Sequence, residues 1–221
     1  GVMVDDMSFL LYYHTLKYLK GEQLFFQVYY KVCAKVRRLL SRKENYTCYR
    51  QGNPVPFNDF PRKYTAYQGD EIFCFLNQSH RFDGAWDDRS QGDLWRYNLN
   101  YMDFLLQPSM GVQEGLAWIE RYIGCIEDNT IATDPYPISL RGINWIKFIS
   151  LHYDKLNPEQ LKAIDTSLYS QYRILERRTE RHLLANHYLE NGFSLLFAAV
   201  YFQDEVFWEK ARRIVVAQLE E

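Results

Sequence analysis

The chain has 221 residues, 47% of them hydrophobic and 17% aromatic, with 26 Lys and Arg against 28 Asp and Glu for a formal charge of −2. That is enough apolar material for a sizeable core. The near-balanced charge gives no global positive field for nucleic acid or any other polyanion, so attraction for an acidic ligand has to be local.

Cysteines 33, 48, 74 and 125 have no C-x-x-C spacing and no zinc-like Cys/His intervals, so neither a metal nor another cofactor is expected. No apolar run approaches the roughly 18 residues of a membrane span. Gly1-Val2-Met3-Val4-Asp5-Asp6 lacks the basic-then-apolar order of a signal peptide, which suits a soluble protein of the bacterial cytoplasm or periplasm. Most of the 18 Tyr and 14 Phe belong to a core, while exposed rings can stack on sugar faces.

In chain order, Phe9, Leu10, Tyr13, Leu16 and Leu19 repeat at helical spacing, Gly21 interrupts, and Leu24, Val28, Val32, Val36 and Leu39 resume it. This predicts an αα-hairpin over residues 1–44, with Arg37, Arg38, Arg42 and Lys43 matching the dipole at its C-terminal end. Residues 45–110 read as loop-rich, with short strands. Gly52, Asn53, Pro54, Pro56 and Pro61 mark a linker, and residues 71–76 read as a strand pairing with residues 85–88 in a β-hairpin segment near residues 70–90. Asp87-Asp88-Arg89-Ser90-Gln91-Gly92-Asp93 reads as a turn rather than a magnesium site.

Residues 94–106 begin as a helix, with Tyr97, Tyr101 and Phe104 on one face and Arg96 and Asn100 on another. Residues 111–221 read as successive helices. The first, over 112–124, has Leu116, Ile119 and Ile123 on its apolar side. A Pro-punctuated loop over 134–139 leads to a helix over 140–153. Asn157-Pro158-Glu159-Gln160 is a helix start with an N-cap, Pro at N1 and Gln at N3. That helix buries Leu161, Ile164, Leu168, Tyr172 and Leu175 and ends in Arg173, Arg177, Arg178, Arg181 and His182, a dense positive patch that reads first as a solvated helix end. Asp204 caps the last helix, whose apolar set is Val206, Phe207, Ala211, Ile214, Val215 and Leu219. The chain stops inside that helix with no stop signal, as expected of the N-terminal portion of a longer protein.

Between those helices lies Asn186-His187-Tyr188-Leu189-Glu190-Asn191-Gly192, running into an apolar helix over 193–202. A helix apolar all round is expected to be enclosed by protein. Polar groups at its N-terminal end either bond nearby loop backbone or open onto a wet cavity. This segment resembles the Asn-His-Leu-Leu-Glu-Asn segment of the heparinase II/III family of polysaccharide lyases. Leu94-Trp95-Arg96-Tyr97-Asn98-Leu99-Asn100-Tyr101 and Arg141-Gly142-Ile143-Asn144-Trp145 resemble two further segments of that family, in the same order.

The resemblance implies an all-α fold, an incomplete (α/α) toroid, with the rest of the toroid and a C-terminal β-sandwich lying beyond this chain. It implies β-elimination of uronic-acid glycans of the heparin or heparan sulfate kind, hence an acidic polysaccharide as partner. Removing the proton beside a uronate carboxylate builds a dianionic enolate, so donors must stand where that charge develops. Asn186 is the implied carboxylate neutraliser and His187 the substrate-contacting or proton-handling group. Arg141 and Asn144 are implied cleft residues, with Tyr97, Tyr101 and Tyr136 as further substrate-binding candidates and Glu190 and Asn191 as supports for the helix end. The family's catalytic tyrosine and a further histidine follow the Asn-His motif and are not in this chain. Two alternatives stand beside the lyase: a non-catalytic glycan-binding or polysaccharide-biosynthesis-associated toroid module, and a toroid glycoside hydrolase, which would need two carboxylates.

Overall fold

The computed structural model describes residues 48–57, 65–178 and 185–219, apart from the side chains at 185 and 186. The hairpin expected over 1–44 and the basic-patch residues Arg181 and His182 lie outside the described residues. The chain divides into two units. One comprises Gly1–Asn45 with Glu180–Tyr188, of which only 185–188, the start of a helix, are described; the other comprises Tyr46–Thr179 with Leu189–Glu221. The described residues are mostly helical, with one small two-stranded sheet.

The sheet is an antiparallel hairpin of β1 (Ile72–Phe75) and β2 (Gln78–Arg81), with Phe75 opposite Gln78. The strand expected at 71–76 is present, but its partner is 78–81 rather than 85–88. The reason is the turn: Leu76 and Asn77 both have positive φ, 54° and 61°, the backbone of a two-residue hairpin whose twist matches the strands. Phe73 is wholly buried, with Phe104 and Trp118 edge-on to its ring at 4.8 and 5.0 Å.

Helix α1 (Asp93–Tyr101) ends at Met102, which adopts a left-handed conformation with φ 52° before a 3-10 turn over Asp103–Leu106. This break takes Phe104 off the face expected to hold it with Tyr97 and Tyr101, and Phe104 enters the core beside Phe73. Arg96 and Asn100, the other expected face, are both buried. Arg96 pairs with Asp87 and, at 2.8 Å, with Asp93. Asn100 donates to the carbonyls of Trp86 (2.8 Å) and Arg96 (3.0 Å) and accepts from Tyr122 (2.9 Å) and Asn129 (2.6 Å). A buried amide with every hydrogen bond made fixes one arrangement of the chains around it.

Helix α2 (Val112–Cys125) packs through Leu116, Trp118, Ile119 and Tyr122. Helix α3 (Pro135–His152) begins five residues before the expected start at 140. The prolines taken for a loop are its first turn, where the missing N–H has no intrahelical partner in any case. Helix α4 (Pro158–Arg177) opens with the expected capping box: Asn157 accepts from Gln160 N–H at 2.9 Å and Gln160 returns the bond at 3.2 Å. Its Ile164, Leu168, Tyr172 and Leu175 are fully buried.

Helix α5 (Ala185–Phe202) is followed by α6 (Glu205–Leu219), whose first N–H groups are capped by Asp204 at 2.9 and 3.3 Å. Gly192 sets the approach of these two, since a Cβ there would lie 2.8 Å from Ile214 Cγ2. Phe207, Ala211 and Ile214 of α6 are buried, whereas Val206 and Leu219 of its expected apolar set are exposed.

The apolar run over 193–202 is only partly enclosed. Leu195, Ala198, Ala199, Tyr201 and Phe202 are buried, but Phe193 is 42% and Val200 51% exposed. Phe193 and Val200, seven residues apart, share one side of α5 that is open to solvent, with half-buried Phe197 between them, while the opposite side is core.

The stretch read as a linker is a strap without regular structure over 48–57 that is hydrogen-bonded to the helices. Gly52 N–H donates to Asp165 at 2.8 Å, Asn53 N–H to the Tyr201 carbonyl at 2.7 Å, and Arg50 pairs with Asp204 at 2.9 Å. No helix among the described residues is long and apolar enough to cross a membrane.

Candidate functional site

A cleft of about 370 Å³ lies where α1, α3 and α5 meet in the second unit. Helix α3 supplies Leu140, Ile143, Asn144 and Lys147, spaced i, i+3, i+4 and i+7 and therefore on one face. Helix α5 supplies Glu190, Phe193 and Phe197, spaced i, i+3 and i+7. The left-handed Met102 lets the chain present Tyr101 and Asp103, on either side of it, to the same cleft. Met102 is held in place by burial and by the Trp145 indole N–H, 3.2 Å from its sulfur.

Tyr101, Asn144 and Glu190, each from a different one of the three motif segments, come together in this lining. Asn144 donates through Nδ2 to the Tyr101 carbonyl at 2.9 Å, which ties α3 to the end of α1 and fixes where the Tyr101 ring begins. The Tyr136 ring stands edge-on to Tyr101 at 5.7 Å, and the Tyr97 ring lies 6.4 Å from that of Tyr101. Tyr97 and Tyr136 are half-buried flanking rings outside the lining. Tyr97 donates its hydroxyl to Asp134 at 3.0 Å; burial, and then the neighbouring Asp134 charge, push its phenol pKa well above the ordinary value and keep it protonated. The Lys147 ammonium stands 5.5 Å from the Phe197 ring centroid, and Phe197 stacks on Phe57 at 6.1 Å.

Arg141 differs from the expectation of a cleft residue. It is fully buried and does not line the cleft. Its Nε and Nη2 donate to Gln171 Oε1 at 2.8 and 2.6 Å, Nη2 also to the Ala132 carbonyl at 2.6 Å, and Nη1 to the Asn100 carbonyl at 3.3 Å. The guanidinium also lies 4.5 Å from the Tyr122 ring centroid. Burial lowers its pKa, but neutral acceptors and a π face suffice to hold a guanidinium whose reference value is about 12.5 or higher. Arg141 thus joins α3 to α4 and to the Asn100 network.

Asn191 is also fully buried. Its Oδ1 accepts from Ser139 at 2.8 Å, tying α5 to α3, while its Nδ2 is buried with no hydrogen-bond partner among the described residues. Ser194, one turn on, donates to the Ser139 carbonyl at 2.8 Å and meets the Tyr172 hydroxyl at 3.1 Å. His187 belongs to the first unit; it is half-buried, and burial lowers its pKa, which favours neutral imidazole near pH 7. Position 186 is in the first turn of α5, one turn before Glu190, and its side chain is outside the described residues.

Besides the apolar Leu140 and Ile143, sequence reading missed Asp103, Lys147, Phe193 and Phe197 as lining residues. Spacing held a signal for three of them: Lys147 is i+3 from Asn144, and Phe193 and Phe197 are i+3 and i+7 from Glu190. Asp103 depends on the left-handed Met102, and nothing in a methionine announces that conformation. Aromatic faces beside two carboxylates, an amide and an ammonium are the groups that hold a sugar ring by stacking and by hydrogen bonds to its hydroxyls. No family model, no curated protein and no solved structure matches the chain.

Proposed function

We propose that this cleft binds a uronic-acid-containing polysaccharide and that, in the full-length protein, it serves a lyase that cleaves the chain by β-elimination. The observation that carries the reading is the convergence of Tyr101, Asn144 and Glu190, one from each of the three segments that resemble the heparinase II/III family, on a single aromatic-walled cleft. The mostly helical character of the described residues accords with the all-α class that the resemblance implies. In this reading Tyr101, Phe193 and Phe197 carry sugar faces. Asn186 and His187 keep the roles that the resemblance implies, neutraliser of the uronate carboxylate as its charge grows toward the enolate and proton-handling group.

The test is turnover of uronic-acid glycans by the full-length protein, followed by the ultraviolet absorbance of the unsaturated uronate product. Asn186→Ala should lower kcat by about 10²–10³-fold, as a lost oxyanion donor does, with little change in KM. A folded variant with normal turnover would remove Asn186 from the mechanism. One observation favours a second reading: Asp103 and Glu190 bring two carboxylates to the cleft, and a glycoside hydrolase requires two. Hydrolysis would release new reducing ends without the absorbing double bond. Binding without either product would mark a non-catalytic glycan-binding module.

A further inference from the structure

We propose that the Tyr172 and Ser194 hydroxyls are positioning residues of the cleft: a buried seam of hydrogen bonds, running from α4 through α5 to α3, sets the rotation of α5 and hence where Glu190 and Phe193 stand in the lining. This rests on the reading of that cleft as the ligand site and adds what holds its two helical walls in register. Tyr172, Ser194, Ser139 and Asn191 are all fully buried. Ser194 Oγ donates to the Ser139 carbonyl at 2.8 Å, which uses its one proton, so the Tyr172 hydroxyl, 3.1 Å away, is the donor to Ser194. Burial raises the Tyr172 pKa and keeps that proton on the phenol at neutral pH. From α3 the Ser139 hydroxyl donates to Asn191 Oδ1 at 2.8 Å. Gly142 admits the phenol, since a Cβ there would lie 2.4 Å from the Tyr172 oxygen. On each helix the seam lies one residue from the lining: Ser139 and Gly142 precede Leu140 and Ile143 of α3, and Asn191 and Ser194 follow Glu190 and Phe193 of α5. One residue is about 100° around a helix, so the same turns that hold the seam present the cleft. Apolar burial is non-directional, whereas these bonds select one rotation. Stability is not what the seam serves best, because Asn191 Nδ2 is buried with no hydrogen-bond partner among the described residues, an arrangement that costs folding free energy.

The test compares wild type, Ser194→Ala and the double variant Tyr172→Phe/Ser194→Ala by urea unfolding, by ligand-free amide and aromatic-ring chemical shifts, and by isothermal titration calorimetry with a glucuronate-containing oligosaccharide. Ser194→Ala leaves the Tyr172 hydroxyl buried without its acceptor and should unfold at lower urea than wild type. Removing that hydroxyl as well replaces both partners by apolar groups, so the double variant should regain part of the lost stability. The lining should not recover with it. Resonances of Ile143, Glu190 and Phe193 should be displaced in both variants while those of the β1–β2 hairpin stay in place. The oligosaccharide should bind both about tenfold more weakly than wild type, the scale of one lost stacking or hydrogen-bonding contact. Lining resonances and affinity that return toward wild type together with stability, or that are unchanged in both variants, would overturn the positioning role. So would a double variant that regains no stability, because the two hydroxyls would then be uncoupled. If wild type does not bind the oligosaccharide, the glycan reading fails, and the ligand-free shifts still decide the positioning role.

Discussion

At Asp87 burial and hydrogen bonding pull in opposite directions. Burial raises its pKa, but the Thr130 hydroxyl and N–H, and then Arg96, outweigh it and hold the carboxyl below the ordinary value. A folded-state pKa below the unfolded one adds stability that is fully present above the unfolded value of about 3.9 and is lost as pH falls through the lower native value. Asp87→Asn should therefore cost about 1–3 kcal/mol near neutrality, by leaving buried Arg96 with only the exposed Asp93 as carboxylate partner, and the cost should shrink as the medium is acidified below about pH 4. Urea unfolding of both proteins across that range measures it, and a cost independent of pH would show that the carboxylate charge is not what matters. The sequence reading has Asp87 in a turn, and it lies in one; its neighbour Asp88 makes the local bonds of the segment, accepting from Ser90 N–H and Oγ at 2.8 and 2.6 Å. The link from Asp87 to Arg96 and Thr130 is a tertiary contact that no local pattern encodes. For the same reason Arg141 was legible as a residue worth singling out, yet its setting beneath Gln171 and Tyr122 was not.

Helix α5 has two unlike faces, and their energetics should differ accordingly. Leu195 is fully buried, so Leu195→Ala should cost about 2–5 kcal/mol through lost burial and an unfilled cavity. Phe193 is 42% exposed, so Phe193→Ala should cost well under half as much in stability and instead weaken glycan binding. Thermal or chemical unfolding of the two variants decides it; equal destabilisation would mean that the exposed stripe is packed in solution. The apolar run over 193–202 gave α5 its helix but hid its polarity of exposure, because hydrophobicity alone does not distinguish a ring facing core from a ring facing a cleft. Where a local signal has a backbone cause, sequence and structure agree, as in the Asn157–Gln160 box and the Asp204 cap. Where the cause is a left-handed residue without glycine, at Met102 or at Leu76 and Asn77, the helix was drawn too long and the hairpin partner was misplaced.

For the whole molecule, helices far apart in sequence each bring one residue of a motif segment to the same wall: Tyr101 from α1, Asn144 from α3, Glu190 from α5. The three segments were readable one by one. Their convergence depends on how the helices pack, on Gly192 admitting α6 against α5 and Asn144 holding the end of α1, and that is tertiary information. The central claim is that a uronate glycan occupies this cleft, and the most direct measurement is amide and methyl chemical-shift mapping of the labelled chain during titration with a glucuronate-containing oligosaccharide. The account predicts saturable shifts at Tyr101, Ile143, Asn144, Lys147, Glu190, Phe193 and Phe197, with the Arg141–Gln171–Tyr122 cluster unmoved. Shifts confined to other surfaces, or none at saturating ligand, would contradict it.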